Sequence, residues 1–357
     1  MNKQPWIGKP WTDSVFILLP PFFSLLVIML FPTLFQNNKS MPDASWVILV
    51  LLIDVAHVYS TLYRTYFDPQ ALSTQRFLLW IIPAVSFIGG ILIYAFSSLL
   101  FWRILAYVAV FHFVRQQYGF MRVYSRQETT GSISKKIDNI TIYTAALYPM
   151  AYWHLSGPRN FNWFVENDFI YFEFTLLRDI LSVAYFIIVG IYVAKEVYNA
   201  ITTRTFNIPK TAIITGTLAS WYFGIVYFNG DMAFTLLNVV SHGIPYMALI
   251  WIYGQKQHKD PAGSSSFLRL VFSRYGVVVF LLLIFLFAFI EEGLWDVTVW
   301  QEHATVFGTA HLSTPDIDQQ LLSVIVPLLA LPQITHYILD GFIWKIKKDE
   351  FKWSNER

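Results

Sequence analysis

The sequence predicts an all-α, polytopic membrane protein, and three observations carry that reading. The 357 residues are 55% hydrophobic, with a mean hydropathy of +0.48, and 13% charged, about half the charged share of an ordinary soluble domain. Uncharged runs such as Val277 to Ile290 and Leu321 to Leu331 recur along the chain. Apolar stretches near the ~20 residues that cross a bilayer as a helix follow one another, with the basic residues collected between them.

The first span, Ser14–Phe35, contains Pro20-Pro21 and lacks a small-residue cleavage site. It is therefore expected to stay as a membrane helix rather than be removed as a signal peptide. Ala44–Tyr63, Phe77–Ser98, Leu99–Tyr118 and Ile137–Leu155 follow. The second half supplies Thr175–Ala194, Pro209–Phe228, Met232–Gly254, Leu270–Ile290 and Leu321–Trp344, making ten spans. The loops are too short for an extramembrane domain, and no internal repeat is visible, so a single transmembrane domain over 1–357 is expected.

An even number of spans puts both termini on one side, and lysine and arginine say which, because cytoplasmic loops keep an excess of them. Twenty fall on the side of the termini: Lys3, Lys9, Arg64, Arg76, Arg122, Arg126, Lys135, Lys136, Lys195, Arg204, Lys210, Lys256, Lys259, Arg269, Arg274, Lys345, Lys347, Lys348, Lys352 and Arg357. Only Lys39 and Arg159 fall opposite, with Arg103, Arg115 and Arg178 inside spans. The expectation is N-in and C-in, in a bacterial-type inner membrane. The net charge of +2 carries little information; membrane lipids are the expected surroundings, and no nucleic-acid partner is expected.

Two outer segments, Tyr152–Phe174 and Glu291–Asp318, are longer than connectors require and rich in Trp, Phe and Tyr. Such rings favour the headgroup level and read first as interfacial belts. The other reading is a lid over an outer cavity.

Within this apolar chain the costly groups stand out, since ionisable side chains in hydrocarbon are rare without a partner, cavity or ligand. Of eight histidines, four lie within spans, one each on the second, fourth, eighth and tenth. Each has a polar residue on its own helical face: Asp54 with His57, Gln116 with His112, Asn238 with His242 and Asp340 with His336. All four spans run outside to inside. The first basic residue of the cytoplasmic loop that follows each histidine comes seven to fourteen residues later, or roughly 10–20 Å at 1.5 Å per residue. The imidazoles are thus expected in one layer of the inner half of the bilayer, forming a metal site. Asp54, Asn238 and Asp340 would be further ligands or hydrogen-bond partners that fix each tautomer. The plainer alternative for each histidine is a hydrogen bond to a neighbouring helix. His154, His303, His311 and His258 are expected at the surface.

Cysteine is absent, so any metal must be held by His, carboxylate or amide. Imidazole with oxygen co-ligands points toward non-haem iron, with copper or zinc as alternatives. Iron would suit oxidation of a hydrophobic, lipid-like substrate, whereas zinc hydrolysis would need Asp340 or Asp54 as base. On the fourth span His112, Arg115, Gln116 and Gly119 share one face, which reads as one wall of the site. Gln116 and Asp340 would act within it, and Arg115 would anchor an acidic head group. Arg64 reads as snorkelling to the interface. Two rival readings use the same residues: a haem-bearing electron-transfer protein with two histidines as axial ligands, and a proton-coupled transporter with a His/Asp relay.

In general character, and in the runs Phe111-His112-Phe113 and Ser241-His242-Gly243, the chain resembles the bacterial membrane carotene dioxygenases of the Brp/Blh type, which cleave β-carotene to retinal. The resemblance implies oxidative cleavage of an apolar substrate. The clustered HxxxH and HxxHH boxes of membrane desaturases and hydroxylases are absent, which argues against that di-iron family.

Overall fold

Each of the ten expected spans overlaps helical chain in a computed structural model that describes residues 4–36, 41–129, 131–204, 206–258, 265–309 and 317–344, although Leu270–Ile290 is broken by a turn at 272–276 and its long helix begins at Val277. Among those residues there is no strand. In chain order the long elements are α1 (Pro10–Leu18 bent into Pro20–Leu30), α2 (Asp43–Arg64), α3 (Arg76–Phe96), α4 (Ser98–Tyr124), α5 (Ser132–Leu155) and α6 (Thr175–Thr202). They continue with α7 (208–227), α8 (Asp231–Gln257), α9 (Val277–Trp300) and α10 (Gln319–Leu329 bent into Leu331–Ile343).

Their outward faces are apolar. α3 exposes Phe77, Trp80, Val85, Ile88, Leu92 and Phe96, and α6 exposes Leu176, Ile180, Val183, Ile187 and Ile191. Apolar faces of this extent suggest a membrane protein. Six helices are long and apolar enough to cross a membrane, or up to eight when each bent pair counts as one span. α5 and α7 are helical too, but α5 carries Lys, Asp, Asn and Thr and α7 carries Lys and Thr within their length.

Proline sets the two bends. α1 turns by 51° before Pro20-Pro21, and α10 by 40° at Ala330, between Pro327 and Pro332. Each ring removes an N–H and crowds the preceding turn. The innermost helix is α8, with 78% of its most apolar stretch buried against 11% for α6. α1, α2 and α7 pack around it, while the second half of α10 packs on α2, α3 and α4.

The N-terminal segment is strapped under the bundle. The Asp13 carboxylate accepts from the backbone N–H of Ile7 (2.6 Å) and Gly8 (2.8 Å) and from the Tyr124 hydroxyl (3.1 Å). Arg126 donates to the carbonyls of Pro5 and Trp6 (2.6 and 2.7 Å). Nearby, Lys195 and Lys210, counted from sequence among loop cations, are buried in an ion cluster. Lys210 lies 2.9 Å from Glu128, 3.2 Å from Asp138 and 3.1 Å from Glu196, and Lys195 pairs with Asp138 and Glu196. Ionised side chains can be buried at helix ends when paired in this way.

On the opposite side, the segment between α5 and α6 folds back into the bundle. Asp168 Oδ2 accepts from the N–H groups of Trp163 (2.9 Å), Phe164 (2.7 Å) and Val165 (3.3 Å). Arg159 reaches the carbonyls of Ile225 (2.7 Å) and Phe228 (2.9 Å) at the end of α7. Phe161 and Phe169 are buried in a cluster with Phe113, Trp153, Trp221 and Phe234. These aromatic residues therefore form a plug over the bundle rather than a belt. In the second outer segment, Trp295 and Trp300 stack 5.5 Å apart beside Trp102.

Candidate metal centre

Four helices bring four imidazoles together. His57, His112, His242 and His336 are each 1–4% exposed, and one ring nitrogen from each lies within 4.8 Å of the other three. Their rings form a closed cycle of edge-to-face contacts. Centroids are 4.7 Å apart for His57–His242, 5.0 Å for His242–His112, 4.5 Å for His112–His336 and 5.1 Å for His336–His57.

The local chain explains each placement. His57 lies where α2 passes from a π stretch, Val47–Val55, through one α turn into a 3-10 turn, Thr61–Arg64, an irregularity of the sort that collects at functional sites. His57 Nδ1 stands 3.3 Å from the Ile53 carbonyl. A carbonyl only accepts, so Nδ1 carries the proton and Nε2 is a lone pair. Asp54 adds a carboxylate oxygen 3.7 Å from the same Nδ1.

On α8, Pro245 has no N–H to give the Ser241 carbonyl. Gln117 of α4 fills that vacancy (3.4 Å), and Gln116 donates to the His242 carbonyl (3.0 Å). Gly243 lets α2 come close: a Cβ there would stand 3.0 Å from the Ile53 carbonyl and Cγ2 and 3.3 Å from His57 Nδ1. Phe113 stacks flat on His242, with centroids 3.6 Å apart, and Trp163 of the plug packs on Phe113 at 5.1 Å.

A chain of hydrogen bonds orients His336. Tyr246 donates to Asp340 (2.6 Å), Thr61 Oγ1 lies 2.9 Å from the Tyr246 hydroxyl, and His336 Nδ1 lies 2.7 Å from Thr61 Oγ1. A carboxylate only accepts, so the direction propagates: Tyr246 gives its proton to Asp340, Thr61 to Tyr246, and His336 Nδ1–H to Thr61. His336 Nε2 is left as a lone pair facing inward. The other Asp340 oxygen stands 3.8 Å from His112 Nδ1.

These nitrogens fit a metal ion. His112 Nε2 and His336 Nε2 are buried without a partner, and burying an unmet polar atom costs about 1–3 kcal/mol. His57 Nε2 and His242 Nε2 lie 3.2 Å apart. Two nitrogens each about 2.0–2.1 Å from one ion stand about 2.8–3.4 Å apart at octahedral to tetrahedral angles. The 4.8 Å bound on the whole set is little more than the roughly 4.2 Å between opposite ligands of one ion.

The other expected residues divide. Asp54 and Asp340 stand behind imidazoles, as positioned above. Asn238 turns to its own helix, donating to the Phe234 carbonyl at 2.9 Å. Gln116 holds the backbone of α8 rather than facing the rings. Arg115 is exposed, donates to the Tyr143 hydroxyl of α5 at 2.7 Å and lies 5.1 Å from the Tyr118 ring centre. At about 100° per residue it stands about 60° to one side of His112, and Gln116 about 40° to the other; only the Gln116 side turns inward. Arg64 does not snorkel. It is buried, donates to the Ile343 carbonyl and lies between the rings of Tyr253 and Trp344, 3.9 Å from each centre.

Of the remaining histidines, His258 is buried against Phe272 rather than at the surface. His154 bonds Tyr107 at 2.7 Å, and His303 lies 3.1 Å from Asp43; His311 lies outside the described residues. Thr61, Tyr246, Gly243 and Pro245 were not singled out from sequence as parts of the site. Thr61 follows His57 by four residues and Tyr246 follows His242 by four, the same spacing that marked Gln116 and Asp340. Comparison of the chain with protein families, with curated proteins and with solved structures finds no match.

Proposed function

We propose that His57, His112, His242 and His336 hold one non-haem iron ion, and that the chain is an inner-membrane oxidoreductase acting on a lipid-soluble substrate. The observation that carries the reading is the convergence of four imidazole nitrogens, two of them buried without partners, from four separate helices. Glue between helices needs a donor facing an acceptor; His112 Nε2 and His336 Nε2 have no such partner. Iron on neutral imidazoles supplies the redox chemistry that combines dioxygen with an apolar molecule.

The protein's own part is orientation and exclusion of water. The Ile53 carbonyl and the Asp340–Tyr246–Thr61 chain keep Nδ1–H on His57 and His336, so that Nε2 of each is free to bind. Phe113 and the plug behind it close the outer approach to His242. Copper and zinc remain chemically compatible with the donors. Haem fits less well: a macrocycle needs a flat slot between axial rings, whereas His57 and His242 already touch.

Elemental analysis of purified protein tests the proposal. The expected result is stoichiometric iron without a haem absorption band, lost together with oxidase activity in His112→Ala or His336→Ala while the protein still inserts. Absence of any bound transition metal from protein refolded or expressed with iron would overturn it and favour the proton-relay reading.

A further inference from the structure

Resting on that reading, we infer that an uncharged hydrocarbon molecule reaches the histidines sideways from the bilayer, through a cavity between α2, α3 and the bend of α10. The cavity has a volume of about 250 Å³. It is open on one side, and exposure falls steeply along its walls. Leu328 at the mouth is 51% exposed, Thr335 is 8%, and His336 and Leu339 at the inner end are 1% and 0%. The inner end therefore meets the metal centre at His336 and at Thr61, which orients it.

The mouth lies at the depth of the hydrocarbon. Pro83 of α3 lines it, and the residues flanking Pro83 in α3, Trp80 and Val85, are 69% and 61% exposed and apolar. The bend at Ala330 supplies the facing wall, where the two halves of α10 diverge by 40°. A molecule entering here arrives from the lipid phase rather than from water.

Charge decides the kind of molecule. No residue lining the cavity carries a formal charge, so nothing there holds a carboxylate or phosphate in low dielectric. Arg64 is engaged with Ile343, Tyr253 and Trp344, and Arg115 with Tyr143 of α5. The occupant is thus an uncharged, lipid-soluble hydrocarbon, and not a fatty acid or a phospholipid chain tethered by its head group.

The test is photolabelling of the full chain in phosphatidylcholine vesicles with a neutral long-chain alkyl diazirine, mapped by mass spectrometry, beside a fatty acid carrying the same diazirine. The neutral probe is expected to mark peptides covering 58–66 and 328–339, and the fatty acid to mark them weakly. Leu328→Trp fills the mouth from a half-exposed position and should abolish that labelling. Leu321→Trp, equally exposed on the same helix but outside the cavity, should keep it. Loss in the first variant with retention in the second supports the passage whether or not metal is bound. Labelling unchanged in Leu328→Trp, or stronger with the fatty acid, overturns it even where elemental analysis finds iron on the histidines.

Discussion

An imidazole offers a metal only one of its two nitrogens, so what the other nitrogen meets decides which one is free. For His336 that decision is made three side chains away, at Asp340. Thr61→Val keeps the volume of the side chain and removes the hydroxyl that receives His336 Nδ1–H, leaving the tautomer unfixed. The fold should survive and iron affinity should fall about 10–100-fold, read by competition with a chelator. Arg115→Lys is the matching control, since Arg115 meets Tyr143 and not the rings; unchanged iron affinity is expected. Equal loss in both variants would mean a general loosening of the bundle rather than a lost orienting bond. The four histidines and the partners Asp54 and Asp340 were legible in the sequence because polar residues in apolar helices are few. Arg115 was misplaced because a shared helical face spans more than 90° of arc, and only packing tells which edge of it turns inward.

At the level of elements, the site depends on how closely α8 approaches α2. Gly243 makes that approach possible, and the Ile53 carbonyl it admits is the same group that holds His57. In Gly243→Ala the added Cβ must displace α2 by a few tenths of an ångström, so stability should fall by about 1–3 kcal/mol and iron affinity with it. Gly89→Ala in α3, where a Cβ meets nothing within 4 Å, should be neutral or slightly stabilising. Thermal unfolding in detergent, with iron titrated into each variant, checks both. A neutral Gly243→Ala would show that the helices have slack to spare. Helix positions were readable from hydropathy because each apolar run is long, but close approach was not, since a glycine looks the same in sequence whether or not another backbone lies against it. The plug between α5 and α6 escaped for a related reason: aromatic residues suit a headgroup belt and a buried lid equally well, and only the turn built on Asp168 folds them inward.

For the whole molecule, the question is which side of the membrane the four histidine helices point toward. Arg64, at the end of α2, meets Ile343 and Trp344 at the end of α10 and Tyr253 near the end of α8, so these three helices end together. Lys256 at the end of α8 donates to the Ile7 carbonyl, and Arg126, just past α4, to Pro5 and Trp6. The ends of all four helices and the N-terminal strap therefore share one face of the bundle. For helices that cross a bilayer, that arrangement goes with an even number of crossings. The expected sign comes from sequence, where twenty lysines and arginines fall on the side of the termini and two opposite, the excess expected of a cytoplasmic side. Reporter fusions at 259–264 and after residue 344 should thus be active with a cytoplasmic reporter and silent with a periplasmic one. A periplasmic signal at either site would place the face with Arg64 outside and reverse the bilayer half that holds the histidines. Opposite signals at the two sites would mean that α8 and α10 do not run the same way, and four imidazoles carried by helices of mixed direction would not meet with their chain ends gathered at Arg64.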